Sequence, residues 1–360
     1  IYQIIYMDKV PESAAVNESV KLAKKLTRGL SGFVNAILRS VIREQDSIGI
    51  EDLAANDIEA ISFIYNIPLW LINLWISEFG RDKTEDLCAW FNEQPKLTAR
   101  INTILIDIPQ CLTLLNEQGW DVTQDTNYDD IIYINSHRGS LEKSEAVING
   151  YITFMDKASM LVARLVNPQP GECILDCCAA PGGKSMYMAA LMNNVGSLMS
   201  CDIHEHKIEL MNLNAERLGA SIVHTKVQDA TKLPNSWNSY FDRVLVDAPC
   251  SGLGILQKKL DMRWRKQESI LSELPSLQLA ILERAAMTVK EKGYLIYSTC
   301  TLNYKENEEV VEAFLQKHKE FSIIPVADDF PLKSNSGMIT TYPPIDDMDG
   351  FFMVKMQRIS

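Results

Sequence analysis

Apolar residues recur at intervals of three and four through the first ninety positions. Val16, Val20, Ala23 and Leu26 form one such stripe, and Val34, Ile37, Leu38, Val41 and Ile42 form a second. This spacing predicts helix over 12–44, with Gly29 and Gly32 separating two stretches. A helical pattern continues over 51–92, broken at Pro68, where Trp70, Leu71, Leu74 and Trp75 share one face. That aromatic stripe reads as core rather than as a base-stacking platform. The first 90 residues are therefore expected to be all-α.

The period then changes. Residues 97–106 and 130–134 read as strands flanking a helix near 108–118, which Asn116–Gly119 closes, making a small α+β segment. From about 150 onward, strand and helix patterns alternate. Candidate strands are 172–176, 197–202, 221–227, 243–247 and 293–298, and helical spacing covers 184–193, 204–218, 273–291 and 305–318. Repeated strand–helix units predict an α/β doubly wound parallel sheet. Such sheets bind ligands beyond the carboxyl ends of their strands, near the point where strand order reverses.

Length and composition bound the picture. The 360 residues are enough for two or three domains, and 46% hydrophobic with 23% charged residues predicts a folded chain. No run of about 18 apolar residues suggests a membrane span, and no secretory leader is visible. The chain opens on Ile1 inside a helical pattern, so the natural N-terminus is expected upstream. Eight cysteines (88, 111, 173, 177, 178, 201, 250 and 300) are expected to be reduced thiols in the cytoplasm. They form no C-x2-C pair and the five histidines do not join them, so no metal site is expected. A net charge of −12 argues against a generally basic nucleic-acid surface. Two segments run against that average. Residues 1–43 carry Lys9, Lys21, Lys24, Lys25, Arg28, Arg39 and Arg43, and residues 257–266 carry Lys258, Lys259, Arg263, Arg265 and Lys266.

Candidate chemistry gathers at the strand ends. Asp176 leads through Cys177, Cys178, Ala179, Ala180, Pro181, Gly182 and Gly183 to Lys184 and a helix. Glycines there let a ligand approach the backbone, and the helix start offers free N–H donors. The loop matches neither a dinucleotide nor an ATP fingerprint. Asp202 ends the second strand, where a carboxylate can accept ribose hydroxyls; Asp229 follows the third, within reach of an adenine amino group; Asp247 ends the fourth. Four carboxylates at successive strand ends are hard to explain as packing. Cys250 follows the fourth strand and Cys300 the fifth, which places two thiols at one edge. Cytosine C5 is too weak a nucleophile to take a methyl group unaided. A thiolate adding to C6 makes C5 enamine-like, and a base must then remove the C5 proton. Asp247 could support the addition at N3. The strand positions alone do not say which thiol attacks.

These stretches resemble the Sun/RsmB (Fmu) family of bacterial ribosomal RNA cytosine-C5 methyltransferases, in the wider NOL1/NOP2/Sun group. The matching motifs are residues 178–184 (CAAPGGK), 247–254 (DAPCSGLG), 297–301 (YSTCT), 306–308 (ENE) and 349–352 (DGFF). Residues 32–39 (GFVNAILR) are similar to a NusB-like RNA-binding domain, whose first helices are expected upstream of Ile1. Pro68–Leu71, Trp75 and Arg100–Thr103 are similar to the family's connecting region. The resemblance implies three parts: a NusB-like helical domain over 1–66, a connecting helical and small RRM-like α+β region over 67–149, and a Rossmann-like S-adenosylmethionine methyltransferase domain over 150–360. It implies cofactor contacts from Cys178 to Lys184 and at Asp202, Asp229 and Asp247, with Cys300 as nucleophile and Cys250 assisting release. It implies 16S rRNA as substrate, with no membrane partner, and a monomer is expected. Two positions depart from the family. Met155 stands where Gln is usual, and Gln257-Lys258-Lys259-Leu260 replaces Arg-Arg and a Pro before Asp261. Lysine keeps the charge but loses the bidentate fork.

Three other readings compete. A non-catalytic RNA-binding protein would not need both Cys250 and Cys300. A DNA cytosine-C5 methyltransferase usually has Gln after its Pro-Cys, where Ser251 stands here. A small-molecule methyltransferase would not need the helical head. Within the RNA class, a tRNA substrate is the alternative to rRNA.

Overall fold

A computed structural model describes residues 1–27, 29–44, 58–334 and 336–359. Arg28 and the helical expectation over 51–57 fall outside them. The chain divides into two compact units, Ile1–Ile64 and Tyr65–Ser360.

The first unit is helical throughout its described residues, with helices Tyr2–Tyr6, Glu12–Leu26 and Ser31–Glu44 and the start of Ile58–Tyr65. Of the predicted stripes Val16 and Leu38 are buried, along with Ala15, while Leu26 and Ile37 stay exposed. Lys9, Lys21, Lys24, Lys25, Arg39 and Arg43 are all exposed, as solvated cations should be.

The second unit opens with helices Leu69–Phe79 and Arg81–Asn92. Leu71 and Trp75 are fully buried, the Trp75 ring lying tilted 5.5 Å from that of Phe91, whereas Trp70 and Leu74 are only half-buried. An antiparallel sheet follows, built from β1 (Leu97–Ile101), β2 (Asp121–Gln124), β3 (Ile131–Ser136) and β4 (Ile152–Phe154) in the order β2-β3-β1-β4. Helix Ile108–Glu117 packs on it. The β1 strand stops five residues short of the predicted 106. Asn102 turns the chain there, its Nδ2 donating to Gly150 O and Leu218 O at 2.9 Å each.

The larger sheet contains β5 (Cys173–Asp176), β6 (Ser197–Asp202), β7 (Val223–Val227), β8 (Phe241–Asp247), β9 (Val289–Thr299), β10 (Phe321–Ile323), β11 (Met338–Thr340) and β12 (Phe352–Arg358). Its order is β7-β6-β5-β8-β9-β12-β10, with β11 also on β12. The expected parallel arrangement holds from β7 to β9. It fails at β12, which runs antiparallel to β9, β10 and β11, so the sheet is mixed. The predicted helix 273–291 also ends early, at Ala286. Thr288 folds its hydroxyl back onto Ala285 O, and Val289 enters β9 opposite Phe241. Helices Lys157–Val166 and Gly183–Leu191 cover one face, and Ile270–Ala286 and Glu308–Lys317 cover the other. Strand order reverses between β5 and β8, which puts Asp176 and Asp247 side by side at the ligand-binding edge. Among the described residues no single helix is long and apolar enough to cross a membrane.

Candidate active site

The loop after β5 is built for close approach. Gly182 adopts φ +99°, a conformation that L side chains avoid, and a Cβ there would press Met211 at 3.2 Å. Ala179 N–H donates to Cys201 O at 2.7 Å, tying the loop to the end of β6. Asp176 is fully buried and accepts Ser185 Oγ–H at 2.7 Å, and Ser200 is hydrogen-bonded to Ser185 at 2.9 Å. Burial, with Asp247 nearby, pushes the Asp176 carboxyl up to about 7 despite the Ser185 bond. Asp202 accepts the His204 N–H at Oδ1, 2.9 Å. Asp229 spends Oδ1 on capping, accepting the Thr231 N–H at 2.9 Å and the Thr231 hydroxyl at 2.7 Å, and these bonds lower its pKa.

Asp247 is held from two sides: Lys184 Nζ donates to Oδ2 at 2.7 Å and Ser298 Oγ–H to Oδ1 at 2.8 Å. Burial pulls the Lys184 ammonium down, but Asp247 outweighs it and the net shift is upward. The loops carrying the two cysteines are laced together. Gly254 N–H donates to Cys300 O at 3.0 Å, and Gly350 N–H to Gly254 O at 2.9 Å. A Cβ on Gly254 would meet Gly350 O at 1.8 Å, so only glycine permits this approach. The result is a Cys250 Sγ to Cys300 Sγ distance of 3.3 Å. The Cys300 contact, then burial, raises the Cys250 thiol well above its ordinary value. Cys250 is therefore held as a thiol near neutral pH, and either sulfur can donate across the contact. All eight cysteines are free.

A cleft of about 440 Å³ gathers Ala179, Ala180, Pro181, Gly183, Lys184, Asp247 and Cys300 along one side. Cys178, Gly182, Asp202, Asp229 and Cys250 are not part of its lining. The same lining includes Asp156, Lys258 and Asp349, three residues to which the sequence reading gave no joint role. Lys258 Nζ bridges Asp156 and Asp349 (3.0 Å to the latter), so it is a paired cation and not a free one awaiting RNA. Burial, then Asp156, lifts the Asp349 carboxyl to about 7. Signals for this group lay in the Asp349–Phe352 stretch and in Asp156 itself, but their partnership spans most of the domain. Arg263 also leaves the expected RNA surface. It is buried, and its guanidinium donates to Asn92 Oδ1 at 2.7 Å and to Phe91 O, which makes it a brace for helix Arg81–Asn92. Lys259 and Arg265 are exposed and Lys266 is half-buried; Arg265 pairs with Asp261 at 3.2 Å.

A glycine loop at the switch point, carboxylates at the ends of β5, β6 and β8, and a reversed strand β12 beside β9 define a Rossmann-like methyltransferase fold. Residues 163–357 match the family described as 16S rRNA methyltransferase RsmB/F, residues 1–43 the NusB family, and residues 67–139 the ferredoxin-like domain of RsmF/B-like methyltransferases. The chain is 36% identical to the probable ribosomal RNA small subunit methyltransferase B of Bacillus subtilis, over 99% of this chain and 81% of that protein. It is 37% identical to the Synechocystis protein of the same description, again over 99% and 81%. The crystal structure of PH0851 superposes with a TM-score of 0.84 at 27% identity, covering 98% of this chain and 79% of that one. The chain belongs to the RsmB/F family of rRNA methyltransferases.

Proposed function

We propose that the protein uses S-adenosylmethionine to form 5-methylcytosine in 16S rRNA through a covalent bond between Cys300 and cytosine C6. The observation that carries this reading is the pair of thiols, 3.3 Å apart, of which Cys300 lines a cleft that also holds Lys184 and Asp247. The residues fit the cofactor. The loop Cys178–Lys184 presents backbone and a helix start to a carboxylate. Asp202, with Oδ1 engaged by His204, has Oδ2 for a ribose hydroxyl, and Asp229 can reach a base through Oδ2 by releasing the exposed Lys232, 3.3 Å away. When bound, the cofactor supplies an electrophilic methyl group.

The chain's own residues do the rest. Cys300 Sγ adds to C6, and the electron pair of the C5–C6 double bond is pushed toward C5. Asp247 faces N3, where its carboxylate accepts the N3–H of a cytosine protonated from solvent and so favours the charge that addition builds, and Lys184 holds that carboxyl in place. After C5 is methylated its proton must pass to a base, either water or Cys250 once its own proton has gone to solvent. The C–H pair then reforms the double bond and expels Cys300 as a thiolate. Cys250 stands beside Cys300 to assist this release. A cytosine stacked in RNA must first be flipped into the cleft. The exposed cations of residues 1–43, with Lys259, Arg265 and Lys266, supply the phosphate contacts.

Bisulfite mapping of small-subunit rRNA from cells lacking the gene tests the reading. One cytosine should lose its methyl group and regain it on complementation. An unchanged methylation map would sink the substrate assignment.

A further inference from the structure

Glu306 lies in the chain six residues beyond Cys300, is fully buried, and plays no part in the chemistry above. Four donors converge on its two oxygens. Ser251 N–H and Gln278 Nε2 reach Oε2 at 2.8 and 2.9 Å; Ser251 Oγ and Asn303 Nδ2 reach Oε1 at 2.5 and 2.8 Å. The donor set accounts for the neighbouring hydroxyls. Ser251 must give its single proton to Glu306, so Thr301 donates to Ser251 Oγ across 2.6 Å and accepts the Leu253 N–H at 3.2 Å. Gln278 also donates to Pro249 O at 3.0 Å. The peptide is thus gripped on both sides of Cys250, at Pro249 and at Ser251, by one carboxylate and the glutamine bound to it. The same carboxylate grips the loop that follows Cys300 through Asn303, and through Ser251 it reaches Thr301.

Cys300 has a second support. It directly follows β9, whose last residues pair with both β8 and β12. Cys250 sits on a loop and has no such ladder. We propose that Glu306 is a positioning residue that holds Cys250 against Cys300 and so controls release of the methylated base, leaving attack on C6 to Cys300. This rests on the assignment of Cys300 as nucleophile and Cys250 as release group.

Glu306→Gln replaces one acceptor oxygen with an NH2 that faces two donors already in place, so the loop around Cys250 must shift. Misplacing a reacting group by an ångström costs roughly 100-fold. The expected result, with a 16S rRNA transcript and S-adenosylmethionine, is a turnover loss of about that size while the rate of covalent adduct formation stays within about threefold, so that adduct accumulates. Ser251→Ala, which removes one donor and leaves the carboxylate, should show a milder form of the same split and decides the matter if Glu306→Gln fails to fold. Combining Glu306→Gln with Cys250→Ala should cost no more turnover than Cys250→Ala alone. Loss of adduct formation in step with turnover, or an additive double variant, overturns the proposal. If Cys250→Ala itself accumulates no adduct, the cysteine assignment has failed instead. Should Cys250→Ala accumulate adduct and neither Glu306→Gln nor Ser251→Ala do so, only the role of Glu306 is lost.

Discussion

The sulfurs of Cys250 and Cys300 lie 3.3 Å apart although fifty residues separate them in the chain. That contact, followed by burial, raises the Cys250 thiol well above its ordinary value, which disfavours Cys250 as an attacking thiolate near neutral pH. It also ties the two roles together: once Cys300 is bonded to C6, the interaction that chiefly holds the Cys250 proton is gone. Cys250→Ala should therefore accumulate a covalent RNA–protein adduct, and Cys300→Ala should form none. Denaturing gels of each variant incubated with RNA and S-adenosylmethionine check this. The reverse pattern would exchange the roles of the two cysteines.

The Lys184–Asp247 pair calls for a different experiment. Their side chains are 12% and 25% exposed, so the pair is largely desolvated. Removing one partner of a buried pair costs about 3–5 kcal/mol, because the other charge is left alone, whereas replacing both is far milder. Asp247→Asn and Lys184→Met should each lower stability by about 3 kcal/mol in urea unfolding, and the double variant should recover most of it. Activity should not return with stability, since the double variant lacks the carboxyl proposed to face N3. Recovery of both would reduce the pair to packing.

What the sequence made legible follows from period and position. Alternating strand and helix spacing located Asp176, Asp202 and Asp247 at strand ends and Cys250 and Cys300 just beyond strands, because each depends only on its own element. The strands β10 and β12 were not legible. β12 (FMVKMQR) is buried almost continuously on both faces, so it shows no alternation, and β10 has three residues. Helix 270–286 ran on in the prediction because no Gly or Pro lies between Ala286 and Val289. The clusters were least visible. Lys258 meets Asp156 and Asp349 across 102 and 91 residues, and Ser251 meets Glu306 across 55. A cation count over 257–266 could not show that Lys258 was already paired and Arg263 already buried.

Asp176 makes stability depend on pH. Its carboxyl titrates near 7 in the folded state against 3.8 as the ordinary value, because burial disfavours the charge. Below both values the folded and unfolded states are equally protonated, and nothing is lost. Between them the unfolded chain gives up the proton while the fold retains it. The folded state then binds more protons, stability falls as pH rises, and the loss is complete above about 7. Asp176→Asn still offers Ser185 an acceptor and cannot ionise. Its stability relative to the parent should therefore rise between pH 4 and pH 8, by up to about 4 kcal/mol. Asp349 carries the same sign, so the quantity to measure is the difference between variant and parent in urea unfolding at each pH. A difference that stays flat across the range would mean that Asp176 titrates alike in both states.

Arg263 and its neighbours on 257–266 separate a structural cation from those proposed to contact RNA. Arg263 is 4% exposed and braces Phe91 O and Asn92 Oδ1, so Arg263→Ala leaves the buried Phe91 O without its donor, while Asn92, on the exposed side, can turn to water. The orphaned carbonyl costs about 1–3 kcal/mol, so a clear loss of stability is expected. RNA affinity, measured on the folded fraction, should keep its salt dependence, because no phosphate contact has been removed. Lys259 and Arg265 face solvent, and Arg265 is tied only to exposed Asp261. An exposed pair of that kind is worth at most about 1 kcal/mol and yields readily to a phosphate. Lys259→Ala and Arg265→Ala should leave unfolding unchanged. Each should lower the slope of log affinity against log salt by about 0.7, the value for one phosphate contact on a single strand. Fluorescence anisotropy with a labelled rRNA fragment across a salt series gives these slopes. A reduced slope in Arg263→Ala, or unchanged slopes in the other two, would move the RNA surface away from this segment.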